Sequence, residues 1–279
     1  MGGYLVFFLP ILLGLGLTAR KPKTAVKCFT LAGLITIPLL LTLSRASWLA
    51  GLPMWITLIV LTHKKKSLIA MTVIIGPIGP VIAPSSAQER AKFSFEQEAQ
   101  KGQVKVGGLN VDTSTSARLD TWGLAARGWK KRPFFGHGIT GFSFLEAQYF
   151  RVLVETGLLG LGVFLWLVVA IFKVASRAYR LCRDDEFLGG LATGYYAGYI
   201  ALLVHAVGSN TFIILRIMEP FWLYAGLIIV AGEIREAEVA AKAEEEPAEP
   251  VLPSGPKGRK RIPARLNPQN GGMRPPKIP

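Results

Sequence analysis

Three arginines occupy positions where a cation is costly unless it has a partner, so they are the first candidates for holding an anion. Arg45 lies between two apolar stretches, and Arg118 begins an amphipathic segment. Arg216 lies inside an apolar stretch, one helical turn before Glu219. A guanidinium group binds a phosphate through two parallel hydrogen bonds. Each arginine also has an ordinary interpretation, namely snorkelling to lipid headgroups, simple solvation and an intramembrane pair with Glu219, respectively.

Two side chains are candidates for a general base that removes a proton from a hydroxyl group. Glu146 lies two helical turns before an apolar stretch, where its carboxylate would be near a membrane surface. His137 lies between Gly136 and Gly138, and glycines allow the backbone to approach a ligand closely. A single loop histidine is also often inert. For Glu155, further along the chain, we expect a structural role at a helix start.

Three further side chains are candidate substrate-binding residues. Trp122 lies on the apolar face of a predicted amphipathic helix, Arg151 directly precedes the fifth apolar stretch, and His205 lies inside the sixth. A different class of function would use His205 with Arg216 and Glu219, because ionisable groups inside a membrane can line the path of a transported solute. The sequence shows no inverted repeat in support of such a transporter or channel, which we keep as an alternative.

The elements that must position these residues are hydrophobic blocks. The chain of 279 residues is 51% hydrophobic with a mean hydropathy of +0.38, and its apolar residues cluster in blocks of 16 to 22. Such blocks suit a hydrocarbon core about 30 Å thick, crossed at about 1.5 Å per residue. We predict an all-helical, polytopic transmembrane bundle whose spans cover residues 4–19, 28–43, 46–62, 67–83, 152–172, 187–207 and 211–232.

The distribution of basic residues predicts the orientation of these spans. The net charge is +14, and Lys and Arg gather in the connectors that follow the first, third and fifth blocks. Basic connectors remain in the cytoplasm, so the charge needs no nucleic acid to explain it. The N-terminus is then outside and the C-terminal tail is cytoplasmic. Cys28 and Cys182 are not spaced as metal ligands, and we expect neither a metal nor another cofactor.

This topology divides the chain into four regions, one of which is a long outer loop. This loop contains a predicted helix from Thr115 to Lys131, with apolar residues at helical spacing. The tail is rich in glutamate and then in lysine, arginine and proline, and we predict that it is disordered. The regions are N-terminal spans at 1–83, an outer loop at 84–151, C-terminal spans at 152–232 and a cytoplasmic tail at 233–279.

Four sequence pieces resemble the O-antigen ligase and polymerase superfamily, in the order in which its members carry them. They are Leu-Thr-Leu-Ser-Arg (41–45), Ser-Ala-Arg-Leu-Asp-Thr-Trp (116–122), Lys-Arg-Pro-Phe-Phe-Gly-His-Gly (131–138) and Tyr-Phe-Arg-Val-Leu-Val-Glu-Thr-Gly-Leu-Leu-Gly (149–160). The resemblance covers roughly residues 28–232, which correspond to the C-terminal half of a typical member.

The resemblance implies a multi-pass glycosyltransferase of the bacterial inner membrane, active in the synthesis of lipopolysaccharide or exopolysaccharide. Family members take a glycan from a polyprenyl diphosphate carrier at the outer leaflet and join it to an acceptor glycan or a lipid A-core-like glycolipid. By the same resemblance Arg45 and Arg118 would hold the diphosphate, and no metal or nucleotide is needed. Polymerase and ligase differ in the acceptor, which the sequence does not identify.

The chain departs from the family pattern in two respects. Where many members have His-Asn shortly before the Tyr-Leu run, this chain has Glu146-Ala147, so we expect Glu146 to act as the base, with His137 as the alternative. Typical members have about a dozen spans, whereas seven are visible here. We therefore also consider a truncated or split protein, or a non-catalytic fragment, as alternatives.

Overall fold

The computed structural model describes residues 1–66, 68–70, 72–73, 84–96, 105–106, 109–110 and 113–245, and most of them are helical. The helices are α1 Gly2–Thr18, α2 Pro22–Leu41, α3 Arg45–Leu61, α4 Ser85–Glu96, α5 Thr113–Lys131, α6 Gln148–Cys182, α7 Phe187–His205 and α8 Leu215–Glu245. A short antiparallel pair, β1 Lys105–Val106 and β2 Leu109–Asn110, lies between α4 and α5, and a 3-10 turn, Thr211–Ile213, precedes α8.

The predicted helical membrane fold is confirmed. Helices α2, α6, α7 and α8 are long and apolar enough to cross a bilayer, and α1 and α3 are apolar helices of 17 residues each. These six helices correspond to six of the predicted spans. The remaining block, 67–83, lies largely outside the described residues; its described positions, 68–70 and 72–73, are helical.

The predicted disordered tail is wrong at its beginning, because α8 continues to Glu245. The residues after 232 are rich in alanine and glutamate, which favour helix strongly. Arg177 near the end of α6 also contacts Glu236, with Nη2 2.6 Å from Oε1, and anchors the extension. The rest of the tail lies outside the described residues.

Helix α7 lies at the centre of the bundle and packs closely on α1. A Cβ atom added at Gly14 would lie 2.4 Å from the carbonyl oxygen of Gly190, and one at Gly194 would lie 2.4 Å from the Cα of Ile11. Only glycine permits this separation, which small residues commonly provide between membrane helices. Near the other end of α7, a Cβ atom added at Gly3 of α1 would lie 2.9 Å from Cε1 of His205, so α1 also packs closely on the end that carries this residue.

Helix α6 is interrupted at Gly157, whose φ of +68° and ψ of −165° are not helical. A Cβ atom here would lie 2.2 Å from the carbonyl oxygen of Phe134. Gly136 has a φ of +69°, and a Cβ atom there would lie 2.5 Å from the backbone of Glu155. The two glycines let a loop and the helix meet backbone to backbone.

The loop at this junction, residues 133–139, is called the Phe134 loop. It supplies hydrogen bonds that α6 lacks at its break. These backbone bonds run from His137 N to Val154 O at 2.9 Å, from Gly138 N to Glu155 O at 2.8 Å, from Leu158 N to Pro133 O at 2.8 Å and from Leu159 N to Phe134 O at 3.3 Å. Two of the sequence pieces, 131–138 and 149–160, therefore pair directly with each other.

Candidate functional site

Three adjoining cavities lie where the start of α3, helix α5, the start of α6 and the α7–α8 connector meet. The Trp122 cavity, about 280 Å³, is lined by Arg45, Ala46, Leu49, Arg118, Leu119, Trp122, Val204, Val207 and Gly208. The Glu146 cavity, about 370 Å³, shares Ala46, Arg118 and Gly208 with it. The His205 cavity, about 440 Å³, shares Ser44, Ser209 and Ile214 with the Glu146 cavity. The three cavities are thus neighbours that share wall residues, and together they form the candidate site.

Arg118 lies between two of these cavities. Its Nη2 is 3.7 Å from Oε2 of Glu146, and both side chains retain contact with solvent. Its Nε is buried and has no hydrogen-bond partner in the described part of the chain. Because a buried donor without a partner is costly, this guanidinium is suited to an additional acceptor such as a phosphate oxygen.

Arg45 reaches the Trp122 cavity from the first residue of α3. The Ser44 side chain caps this helix by accepting from the amide of Ser47 at 3.4 Å. Just before it, Leu43 has a positive φ of 52°, which turns the chain sharply between α2 and α3. The start of α3 also directs its positive dipole end to the same place, where it favours an anion.

Glu146 is exposed at the wall of its cavity and approaches Arg118. It lies just before α6, which begins at Gln148. A carboxylate facing a hollow of this size can accept a proton from a bound hydroxyl group. The structure therefore brings together Arg45, Arg118 and Glu146, the residues expected to do the chemistry, around two adjoining cavities.

Arg151 lines the Glu146 cavity but is already paired. Its Nε lies 3.0 Å from Oε1 of Glu155, and both side chains are mostly buried. Glu155 also accepts from the amide of Thr140 at 3.3 Å, so it has a structural role within α6 rather than at its start. Arg151 is thus held in place as a fixed positive charge beside the cavity.

His205 lines the His205 cavity and is buried. Its Nδ1 lies 2.7 Å from the hydroxyl oxygen of Thr211. This contact ties the end of α7 to the connector that precedes α8. His205 therefore lies in the third part of the site, adjoining the cavity of Glu146.

Two buried polar residues of the site were not singled out from the sequence. Asn210 donates from Nδ2 to the carbonyl of Leu145 at 2.7 Å, and its Oδ1 is buried without a hydrogen-bond partner in the described residues. Gln148 accepts from the amide of Phe212 at 3.1 Å. The only sequence feature that could have indicated Asn210 is the polar run from Ser209 to Thr211 between two apolar blocks. Such a run predicts no more than a short turn.

Trp122 stacks on Phe150, with ring centroids 5.0 Å apart and an interplanar angle of 17°. The stack joins α5 to α6 beside the Trp122 cavity. Trp122 is therefore both a wall of the site and a packing residue, and its exposed edge offers an apolar surface to a ligand.

His137 and Arg216 lie apart from this arrangement. The Nε2 of His137 is 2.9 Å from the carbonyl oxygen of Gly128, and the ring lies beside Phe142 at 5.3 Å. Arg216 is exposed at the start of α8. Neither residue lines the three cavities in the described part of the chain, and within that part no ion pair joins Arg216 to Glu219.

A further cavity, about 180 Å³, lies at the opposite end of the bundle. Its lining includes basic residues from three connectors, Arg20, Lys64 and Arg183. It contains none of the candidate site residues. The connectors with the predicted cytoplasmic charge thus meet at one end, and the candidate site lies at the other.

Residues 29–165 match the sequence model of a known family, described as O-antigen ligase. No match was found among curated proteins. The matched range includes Arg45, Arg118, Glu146 and Arg151, and it also contains the Phe134 loop and the break in α6. His205 and Asn210 lie beyond it.

Proposed function

We propose, from the match of residues 29–165 to the O-antigen ligase model, that the protein is a glycosyltransferase at the outer face of the bacterial inner membrane. It would use a glycan on a polyprenyl diphosphate carrier. The observation that carries the proposal is the placement of Arg118. It faces the Trp122 cavity together with Arg45 and faces the Glu146 cavity together with the candidate base.

In the proposed reaction, the diphosphate lies between Arg45 and Arg118. An acceptor hydroxyl oxygen forms a bond to the anomeric carbon of the donor sugar, and the bond from that carbon to the phosphate oxygen breaks. The hydroxyl proton passes to the carboxylate of Glu146, and the polyprenyl diphosphate leaves as an anion. The two guanidinium groups stabilise the charge that develops on the leaving group.

The two cavities beside Arg118 differ in a way that orients the substrates. The Trp122 cavity is mainly apolar, with Leu49, Val204 and Val207 in its wall, and suits the prenyl end of the donor. The Glu146 cavity has a more polar wall that includes Ser209 and Asn210, and suits sugar hydroxyl groups. The donor's sugar–phosphate bond would then lie next to Arg118.

Asn210 supports this orientation. A sugar hydroxyl that donates to its Oδ1 would satisfy an acceptor that is otherwise buried without a partner. Because Nδ2 is held by Leu145, the amide cannot turn without losing that bond. Arg151, paired with Glu155, would contribute a fixed positive charge to the same cavity, and His205 would position the connector that carries Asn210.

The test is transfer or extension of a lipid-linked oligosaccharide by the detergent-solubilised protein. We expect Arg45→Ala and Arg118→Ala each to lower the rate by about 100-fold or more, as the loss of charge stabilisation at a reacting centre commonly does. Arg127→Ala is the matched control, since Arg127 is exposed on the same helix as Arg118 and outside the three cavities. Retained activity in both variants would refute the arginine clamp.

Ligation and polymerisation are separated by the products that accumulate when the gene is deleted. Loss of long chains while the core remains capped indicates polymerisation. Accumulation of lipid-linked polymer indicates ligation. A stably inserted protein without activity would instead favour the non-catalytic fragment.

The transporter alternative receives no support from the described residues. It requires His205, Arg216 and Glu219 along one path, whereas Arg216 and Glu219 are exposed at the start of α8 and His205 is buried. Arg216 is consequently assigned no place in the proposed mechanism.

A further inference from the structure

The Phe134 loop has three strongly exposed large apolar side chains. Phe134 is 61% exposed, Phe135 79% and Ile139 80%. In a water-exposed loop three such side chains would be unfavourable, and contiguous apolar patches on proteins mark contact surfaces. We call these three side chains the apolar patch, and we expect it to contact an apolar partner.

The patch is continuous with the lipid-facing surface of α6. The amide of Leu159 bonds to the carbonyl of Phe134 at 3.3 Å, so the loop lies directly against the outer part of this helix. Leu158 and Leu159 are themselves 44% and 55% exposed, and Val163, one turn further on, is 65% exposed. The partner of α6 on this surface is lipid, and the loop adjoins it.

The depth of the loop follows from the length of α6. Lys173 is the first basic residue after the apolar part of this helix and marks its cytoplasmic boundary. Leu159 precedes Lys173 by fourteen residues, or about 21 Å of helix at about 1.5 Å per residue. The hydrocarbon core is about 30 Å thick. Leu159, and Phe134 bonded to it, therefore lie within the outer half of the core.

The part of the loop backbone that meets α6 is suited to this depth. Irregular backbone is tolerated in hydrocarbon only when its polar groups are paired within the protein. At the break in α6, the amides of His137 and Gly138 and the carbonyls of Pro133 and Phe134 all have partners on the helix. The Pro133 carbonyl also accepts from Nε1 of Trp129 at 3.1 Å.

We propose that the Phe134 loop re-enters the membrane and inserts Phe134 and Phe135 among the acyl chains of the outer leaflet. The exposed basic residues Lys130, Lys131 and Arg132 directly before it lie at the height of the lipid phosphates. Trp129 of α5 bonds to the loop, and His137 of the loop contacts α5. The insertion therefore holds α5 and its Arg118 against the membrane surface. The proposal concerns lipid contact alone and does not depend on the proposed reaction.

The test is a fluorescent probe on a single cysteine at position 135, in protein reconstituted into phosphatidylethanolamine–phosphatidylglycerol vesicles. The background carries Cys28→Ser and Cys182→Ala, and the probe is attached to Phe135→Cys. Val163→Cys, on the lipid-facing side of α6, serves as the membrane reference, and Asp120→Cys, exposed on α5, serves as the water reference. Quenching is measured with lipids brominated on the acyl chains and with iodide in the buffer.

We expect the probe at 135 to be quenched by brominated lipid to an extent comparable with position 163, and several-fold more than at position 120. Iodide should quench it several-fold less than at position 120. Quenching like that of position 120 with both reagents would overturn the proposal.

A second measurement avoids the cysteine substitutions, because Cys182 is buried in the bundle. A photoreactive benzophenone side chain replaces Phe135 or Asp120 in the otherwise unchanged protein. Phospholipid should crosslink at 135 and not at 120 after illumination. The same side chain in place of Val163 is the membrane reference, and absence of lipid adducts at 135 under conditions that give adducts at 163 would contradict insertion.

Discussion

At the residue scale, the site depends on arginines that differ in how far they are already paired. Arg151 is committed to Glu155 at 3.0 Å within a mostly buried pair. Arg118 makes only a longer contact of 3.7 Å with Glu146 and keeps a buried Nε without a partner in the described residues. An anion would therefore gain more from Arg118 than from Arg151. This difference favours Arg118 over Arg151 as the principal binding charge of the proposed site.

The role of Glu146 is tested by Glu146→Gln. The substitution removes the proton acceptor and preserves the shape of the side chain, so we expect transfer to fall by about 100-fold or more. Stability should change by less than about 1 kcal/mol, because the contact with Arg118 is solvent-exposed. Initial transfer rates and thermal unfolding of the detergent-solubilised protein measure the two effects.

Glu155→Gln is the informative comparison for that substitution. It weakens a mostly buried pair with Arg151, so its main effect should be on unfolding rather than on the chemical step. If Glu146→Gln transfers glycan at the wild-type rate, another group removes the proton.

At the element scale, the break in α6 determines how the loop and the site are joined. Gly157 ends the regular helix, and the Phe134 loop supplies the missing partners. His137 takes part in this junction through its backbone amide, and its ring nitrogen Nε2 lies 2.9 Å from the carbonyl oxygen of Gly128 on α5. A residue that resembled a candidate base is thus used to hold two segments together.

Gly157→Ala should destabilise the protein by at least about 2 kcal/mol. The added methyl group would meet the carbonyl of Phe134 at 2.2 Å, and an L-residue is strained at a φ of +68°. Gly162→Ala is the control on the same helix, because its Cβ would meet nothing within 4 Å. Thermal unfolding in one detergent, followed by loss of the monodisperse peak, compares the two variants. Equal unfolding temperatures would show that the junction can relax without cost.

At the scale of the whole molecule, the connectors segregate to two ends. Ser44 and Ser209, from two connectors predicted to lie outside, line the same cavities. Arg20, Lys64 and Arg183, from the predicted cytoplasmic connectors, line a cavity at the other end. The charge bias of the connectors predicts which end faces the cytoplasm, because the apolar helices themselves do not determine their orientation in the membrane.

This orientation predicts the labelling of single cysteines in intact cells by a membrane-impermeant thiol reagent. Ala117→Cys, exposed on α5 beside Arg118, should react in intact cells. Lys65→Cys, exposed in the connector after α3, should react only after the membrane is opened. The reverse pattern would place the site in the cytosol and exclude an outer-surface transfer reaction.

What the sequence by itself determined are the features that depend on short stretches of chain. Apolar blocks long enough for the bilayer identified six of the described helices, and helical spacing identified α5. Arg45, Arg118 and Glu146 were recognisable because each stands beside an apolar block or in a family motif. These features can be predicted from the sequence because each depends on residues that are close together in the chain.

Only the tertiary structure decided which candidates share a cavity. The pairing of His137 with the α6 break, the burial of Asn210 beside Leu145 and the exposure of Arg216 all depend on contacts between residues far apart in the chain. Hydrogen bonds and packing between distant segments leave no periodic pattern in the sequence. The three-dimensional arrangement therefore separates residues that line the candidate site from residues that hold the fold.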